Sequence, residues 1–378
     1  MSWISAKEFF FISVPLSALL LFMINLVAVY YSPSIISLDS FPRDVLTKLD
    51  RCYQTLYHTD VSKNVAKSIV VLGDSFGAGQ GTEFLNDEPL YGFVRKVARK
   101  SPNTFYVFAR GGYGNSSSFN EWLHCSRFLT NYTTVDIPKD PEIFLLVFYG
   151  GNDLNNNIVE PYNKQSDFSF RRKLRLFLPI FDLIRKIPRY ELVRKLPQSV
   201  VDKLIRLFGF ETNETINHHP NEESKPRNYL SNGIPINFYP QSAAVELDYM
   251  RKKEALGTLF SVLKAIKEDH KNSSIQILYL PAVATSYSWK EPLRVQTYHT
   301  SDEFFETTNI NNTRSSKFIR KTIKRFCSEN KICSFCDTSL AINIISDWEL
   351  LHGPKDWKHF NKKGYEIVSE AYQTCFEN

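Results

Sequence analysis

At 378 residues the chain is long enough for one large domain or two modest ones. Its 43% apolar and 23% charged residues are those of a globular protein with a sizeable core, which excludes a disordered or low-complexity chain. A net charge of +6 favours an anionic surface or polymer as neighbour but falls far short of a nucleic-acid footprint, so no nucleic-acid partner is expected.

After a short tail (residues 1–8), residues 9–31 (FFFISVPLSALLLFMINLVAVYY) carry no charge. As a helix rising about 1.5 Å per residue, this stretch spans the hydrocarbon core of a bilayer. Its exit, AVYYSPS, offers tyrosines suited to a membrane interface, where a cleavable signal peptide would offer small residues. The expectation is an uncleaved transmembrane anchor, with the membrane as a partner through this N-terminal helix. Orientation is not fixed by charge: Lys7 cancels Glu8, and Arg43, Lys48 and Arg51 are offset by Asp39, Asp44 and Asp50. Residues 32–67 read as a polar juxtamembrane segment, helical over about 45–57.

A strand is expected at 68–72, where β-branched and aliphatic residues end abruptly in Gly73-Asp74-Ser75 and a glycine-rich stretch follows. That pattern delivers Ser75 into a tight turn at the carboxyl end of a buried strand. In open parallel sheets this is where ligands bind. A serine that merely caps a helix would fit the same local pattern. A basic amphipathic helix at 91–100 stops at Ser101-Pro102. A strand at 104–109 runs into Arg110-Gly111-Gly112-Tyr113-Gly114, and a helix follows at 117–129. The next strand, 142–149, ends in Gly150-Gly151-Asn152-Asp153.

This alternation breaks at an insertion of about 155–240. Within it, 171–206 is strongly basic, with Leu174, Phe177, Leu178 and Phe181 at helical spacing. Such helices can lie on a membrane or cover an active site; the simpler reading packs their apolar face on the domain. His218-His219 reads as loop. The alternation resumes with a helix at 248–270, a strand at 274–280, a helix at 318–329, a short strand at 332–337 and a final helix at 362–375 capped by Asn361. Strands alternating with helices imply an α/β class with a parallel, doubly wound sheet of five strands.

The six cysteines (Cys52, Cys125, Cys327, Cys333, Cys336, Cys375) suit disulfides in an oxidising compartment, though their number alone does not choose the pairs. Cys333 and Cys336 form a CxxC, but positions three apart on a strand face opposite ways and no matching ligand pair is present, so they read as structural. Asn115, Asn131, Asn213, Asn272 and Asn311 head Asn-x-Ser/Thr triplets, which matter only in a glycosylating host.

Chemistry gathers at the strand ends and in the late loop DWKHFNKKGY. Acyl transfer by Ser75 needs a base, and His359 suits it; Asp356, three residues earlier, can hold the imidazole in one tautomer. The tetrahedral oxyanion needs fixed donors, which the backbone N–H groups of Ser75 and Gly112 and the side chain of Asn152 can supply. His352 is a rival base, but no aspartate precedes it by three.

These four blocks, in this order, resemble the SGNH (GDSL-type) hydrolase superfamily. Gly73-Asp74-Ser75-Phe76 matches the first block, with Gly79-Gln80-Gly81 and Asn86-Asp87-Glu88 as its continuation. Arg110-Gly111-Gly112-Tyr113-Gly114 is similar to the second and Gly150-Gly151-Asn152-Asp153 to the third. Asp356-Trp357-Lys358-His359 matches the last, with Asn361 and Gly364 following. Val107 stands where the second block usually has asparagine. The resemblance runs from 68 to the C-terminus outside the insertion, so 68–378 is expected to be one hydrolase domain.

The resemblance implies a three-layer α/β/α, flavodoxin-like fold and ester chemistry without metal or cofactor. It implies a Ser75–His359–Asp356 triad and an oxyanion hole of Ser75, Gly112 and Asn152. The expected function is a membrane-anchored serine esterase acting on an O-acyl group, taken as O-acetyl on a cell-envelope glycan, with its catalytic domain outside the cytoplasm. Three alternatives stay open: an O-acyltransferase on an envelope polysaccharide, a phospholipid or lysophospholipid hydrolase, and a catalytically silent glycan-binding or scaffold protein.

Overall fold

The long apolar runs do become strands, and the topology that follows puts their carboxyl ends along one edge. The structure, a computed structural model, describes residues 57–58, 66–82, 92–132, 137–159, 226–297 and 304–377. These belong to one compact unit, Arg51–Asn163 with Glu223–Asn378. In chain order come β1 (Tyr57–His58), β2 (Ser68–Gly73), α1 (Phe93–Ala98), β3 (Thr104–Ala109), α2 (Asn115–Tyr132), β4 (Ile143–Tyr149) and α3 (Asp153–Val159). An antiparallel pair, β5 (Asn228–Tyr229) and β6 (Pro235–Ile236), precedes α4 (Tyr249–Asp269), β7 (Ser274–Leu280) and α5 (Val283–Ser286). A second antiparallel pair, β8 (Leu293–Gln296) and β9 (Phe304–Thr307), leads to α6 (Asn309–Asn330), β10 (Ser334–Asp337), α7 (Ser339–Ser346) and α8 (Lys362–Phe376).

The main sheet has the order β1-β3-β2-β4-β7-β10. Its last five strands are parallel, and in chain order their arrangement is 2-1-3-4-5, the flavodoxin-like order. The sixth strand was not foreseen: Tyr57–His58, expected at the end of a helical segment, pairs antiparallel with Val107 and Tyr106 on the open edge of β3. The order reverses between β2 and β4, and Ser75 and Asn152 follow those two strands.

Each strand sends alternate side chains to opposite faces. Ile69, Val71, Phe105, Val107, Leu145 and Val147 share one cluster with Phe93 and Val97 of α1, Ile342 of α7 and Val368 and Tyr372 of α8. On the other face Trp122 of α2 meets Phe144 edge-on at 4.8 Å, and the Tyr279 hydroxyl lies 3.1 Å from Ser316 of α6. Helix α4 packs against α2, α3 and α6 on that side, and its N-cap Asp248 accepts from Arg251 N at 2.8 Å. Helices on both faces make three layers.

Helix α6 begins nine residues earlier than its sequence suggests (Asn309 against 318), because its polar first turns are tied inward. Thr308 caps Asn311 N, Asn312 Oδ1 accepts from Ala243 N at 3.0 Å, and Ser315 donates to the Ala243 carbonyl at 2.5 Å.

Of the expected insertion at 155–240, residues 155–159 complete α3, while Leu230 and Ile236 pack with Trp289, Leu293 and Val295. Residues 160–225, which include the basic segment 171–206 and His218-His219, lie outside the described residues. So do the expected anchor at 9–31, most of 32–67, and 86–88 of the first block. Among the described residues no helix is long and apolar enough to cross a membrane.

Cys327 bonds to Cys333 and Cys336 to Cys375, and Cys125 is also disulfide-bonded. The two cysteines of the CxxC therefore go to different partners and are structural. The Cys336–Cys375 bridge fastens α8 to β10 across 39 residues. Replacing both by serine is expected to cost about 2–4 kcal/mol of stability by releasing the unfolded chain, read as a fall in the urea midpoint. No fall would mean that the packing of Tyr365, Val368 and Tyr372 alone holds α8.

Candidate active site

The turn after β2 is held by its own backbone and by one side chain. Ala78 N donates to Asp74 O at 3.1 Å, Gln80 N to Ser75 O at 2.9 Å, and Asp74 Oδ1 accepts from Phe76 N at 2.9 Å. Ser75 is thereby fixed at the strand end, 5% exposed. Phe76 fills the space beneath, stacked on Tyr149 at 4.0 Å and tilted against the His359 ring at 5.0 Å.

The late loop reaches this turn from the far end of the chain. Gly81 has to be glycine, since a Cβ there would collide with the Phe360 carbonyl oxygen. Tyr365 donates to Gln80 O at 2.5 Å and Asp356 N to Thr82 Oγ1 at 3.3 Å. At the loop's exit, Asn361 caps α8 through Gly364 N and donates to Leu350 O at 2.8 Å.

With the two segments joined, His359 Nε2 lies 2.7 Å from Ser75 Oγ and His359 Nδ1 lies 2.6 Å from Asp356 Oδ2. The second contact sets the direction of both. An ionised carboxylate only accepts, so Nδ1 carries the proton and Nε2 accepts from the serine hydroxyl. Burial would raise the Asp356 carboxyl, but the hydrogen bond and charge of His359, with the N–H groups of Lys358 and His359, bring it below its ordinary value. Asp356 is therefore ionised near neutrality.

The structure thus brings Ser75, His359 and Asp356 into one hydrogen-bonded line. It places Gly112 and Asn152 at the ends of the two strands flanking β2, with no hydrogen bond to those three among the described residues. Tyr113 N donates to Arg110 O at 3.1 Å, closing a turn in which Gly112 has φ +78°, a left-handed conformation that favours glycine. Gly111 abuts the Gln80 side chain, so this turn touches the one that holds Ser75.

His352, the rival base, is turned elsewhere. The Tyr287 hydroxyl accepts from Leu351 N at 2.8 Å and His352 N at 3.1 Å, and it lies 2.8 Å from His352 Nδ1. Its proton therefore goes to Nδ1. Burial, with the charge of His359, pushes His352 down to about 3 against the opposing pull of Asp356. His352 is a neutral strut under the loop.

A buried polar layer beneath the site had no counterpart in the sequence reading. Asp153 accepts from Tyr149 N at 3.1 Å and Asn115 Nδ2 at 3.3 Å, and Asn115 Oδ1 accepts from Asn157 Nδ2 at 2.8 Å. With its amide so engaged and 2% exposed, Asn115 is a structural residue and no glycan acceptor in the folded protein. Burial raises Asp153 well above its ordinary value, aided by the charge of Asp74.

Asp74 is pushed up to about 6, first by burial, against the lowering effects of Phe76 N–H, His359 and Asn152. A raised native value means that the folded state binds more protons from the ordinary carboxylate range up to about pH 6. The contribution of Asp74 to stability should therefore fall as pH rises through that window. Asp74→Asn removes the titration, and between about pH 4 and pH 7 it is expected to lose roughly 1–3 kcal/mol less than wild type. Parallel urea-midpoint curves for the two proteins would refute this.

Among the described residues no group of three or more His, Cys, Asp or Glu side chains is placed to hold a metal ion. No protein-family model matches the chain, and no curated protein matches it. Solved structures similar to it include a catalytic mutant of an acetylxylan esterase from Geobacillus stearothermophilus. The two are 10% identical with a TM-score of 0.36, over 82% of this chain and 94% of that one. An alpha/beta hydrolase enzyme from the metagenome of Lake Arreo, Spain, is 11% identical with a TM-score of 0.36, over 82% of this chain and 95% of that one. A likeness this slight carries neither fold nor activity across.

Proposed function

We propose that the protein is a serine esterase of the SGNH type that removes an O-acyl group, taken as acetyl, from a cell-envelope glycan. The observation that carries this reading is the line from Ser75 Oγ through the His359 ring to Asp356 Oδ2, at 2.7 and 2.6 Å. In the proposed reaction His359 Nε2 takes the serine proton as Oγ attacks the ester carbonyl carbon. The N–H groups of Ser75 and Gly112 and the side-chain amide of Asn152 receive the oxyanion. His359 then returns the proton to the departing sugar oxygen, leaving Ser75 acylated. Water, deprotonated by the same nitrogen, then attacks the acyl carbon; the bond to Ser75 Oγ breaks, Oγ takes the proton back from His359, and the acid leaves. This chemistry calls for no cofactor.

The uncharged stretch 9–31 supports a membrane anchor, and the disulfides support an oxidising, extracytoplasmic location for the catalytic domain. The test is labelling of the folded protein with a fluorophosphonate probe, followed by mapping of the modified peptide. Label on Ser75, lost in His359→Ala, is the expected result. An unlabelled protein beside a normally labelled SGNH control would sink the proposal.

A further inference from the structure

Two cavities lie next to each other, and Phe305 of β9 lines both. The first, about 220 Å³, is walled by Asn155 and Val159 of α3 with Glu246 and Arg251. The second, about 520 Å³, opens among Tyr249 and Lys252 of α4 and Asn311, Arg314 and Phe318 of α6. Neither includes Ser75. Helices α4 and α6 run antiparallel to the strands that follow them, so their first turns sit at the sheet edge that carries Ser75. Helix α3 begins at the residue after Asn152, and Asn155 is already part of the first cavity. The two cavities, sharing Phe305, make a track whose near end is Asn155, three residues along the chain from Asn152.

The walls carry three cations, Arg251, Lys252 and Arg314, and two carboxylates, Glu246 and Glu306. Among the described residues no carboxylate lies within ion-pair distance of Arg251, Lys252 or Arg314. The nearby acids are committed elsewhere. Glu246 accepts from Asn155 Nδ2 at 2.6 Å and Ser242 Oγ at 2.5 Å, Asp248 caps α4, and Glu306 pairs with Arg294 at 3.3 Å. Burial lowers the Lys252 ammonium, against the opposing charges of Glu246 and Asp248. Tyr249, 54% exposed, and Phe318 stand with ring centroids 5.4 Å apart, and Lys253 Nζ sits 4.6 Å over the Tyr249 ring. The Asn311 side chain, exposed, adds an amide. Apolar ring surface beside amide and guanidinium donors suits a sugar that bears an acidic group.

We propose that this track binds the sugars flanking the acylated residue, and that it selects a glycan carrying carboxylate groups. The inference rests on the esterase reading for its placement but is tested apart from it, by binding to the full-length Ser75→Ala protein. Calorimetric titration would compare trigalacturonate with neutral maltotriose. Trigalacturonate is expected to bind about tenfold or more tightly, and Lys252→Gln with Arg314→Gln to abolish the difference at an unchanged melting temperature. Equal affinities for the two oligosaccharides, or a preference that survives both substitutions, would overturn the inference. Failure of the serine probe to label would instead count against the esterase reading and leave the binding result to stand by itself.

Discussion

Replacing Ser75 with alanine is expected to lower kcat on an aryl acetate by about 10⁶, with little change in KM. The substitution removes one oxygen from a nearly buried turn. The hydrogen bonds that shape this turn come from Asp74, the Phe76 and Gly79 backbone and the Gln80 N–H, so the turn should survive. What disappears is the atom that forms the acyl-enzyme. His359 and the proposed oxyanion donors would remain to polarise a bound ester, so a residual rate of about 10³–10⁴ over water is expected. The measurement is steady-state hydrolysis beside a urea unfolding curve. A loss of less than tenfold in a folded variant would mean that another group is the nucleophile.

The sheet was legible because its strands are buried on both faces and read as unbroken apolar runs. Thr104–Ala109 and Ser274–Leu280 fall where the sequence puts them, and Ile143–Tyr149 is one residue shorter. Elements whose stability comes from distant partners were not legible. The first turns of α6 read NINNTRSS, a poor helix sequence, and they form because Asn312, Ser315 and Ser316 find partners on Ala243 and Tyr279. The two-residue strands β1, β5 and β6 are too short to show any period. They exist through their pairing alone.

The same division holds at the site. Ser75 and the pair Asp356–His359 stand out as motifs because their spacing is local. The contacts that bring them together are not local: His359 and Ser75 are 284 residues apart in the chain. Nothing in the sequence pairs Thr82 with the Asp356 backbone, or Tyr287 with the backbone and ring of His352. Asp74 could have been suspected from its place beside Ser75. Its burial against Asn152 and Asp153 depends on β2 and β4 being neighbours in the sheet.

Asp356→Asn is expected to lower kcat by about 10⁴ while leaving the fold in place. The reason lies in which oxygen does what. Asp356 Oδ1 accepts from Lys358 N at 2.9 Å, and Oδ2 accepts the His359 Nδ1 proton at 2.6 Å. An asparagine that keeps its oxygen on Lys358 N presents its NH₂ group to Nδ1. The imidazole must then carry its proton on Nε2, and in that tautomer it cannot accept from Ser75. Asp356→Glu separates tautomer from placement, since it keeps a carboxylate but displaces it by a methylene. If control of the tautomer is the role of Asp356, the glutamate variant should retain more activity than the asparagine variant. Its rate of fluorophosphonate labelling should follow the same order. A glutamate variant as slow as the asparagine one would mean that the position of the imidazole, set by the loop, matters more than the proton it carries. An asparagine variant within tenfold of wild type would remove Asp356 from the mechanism.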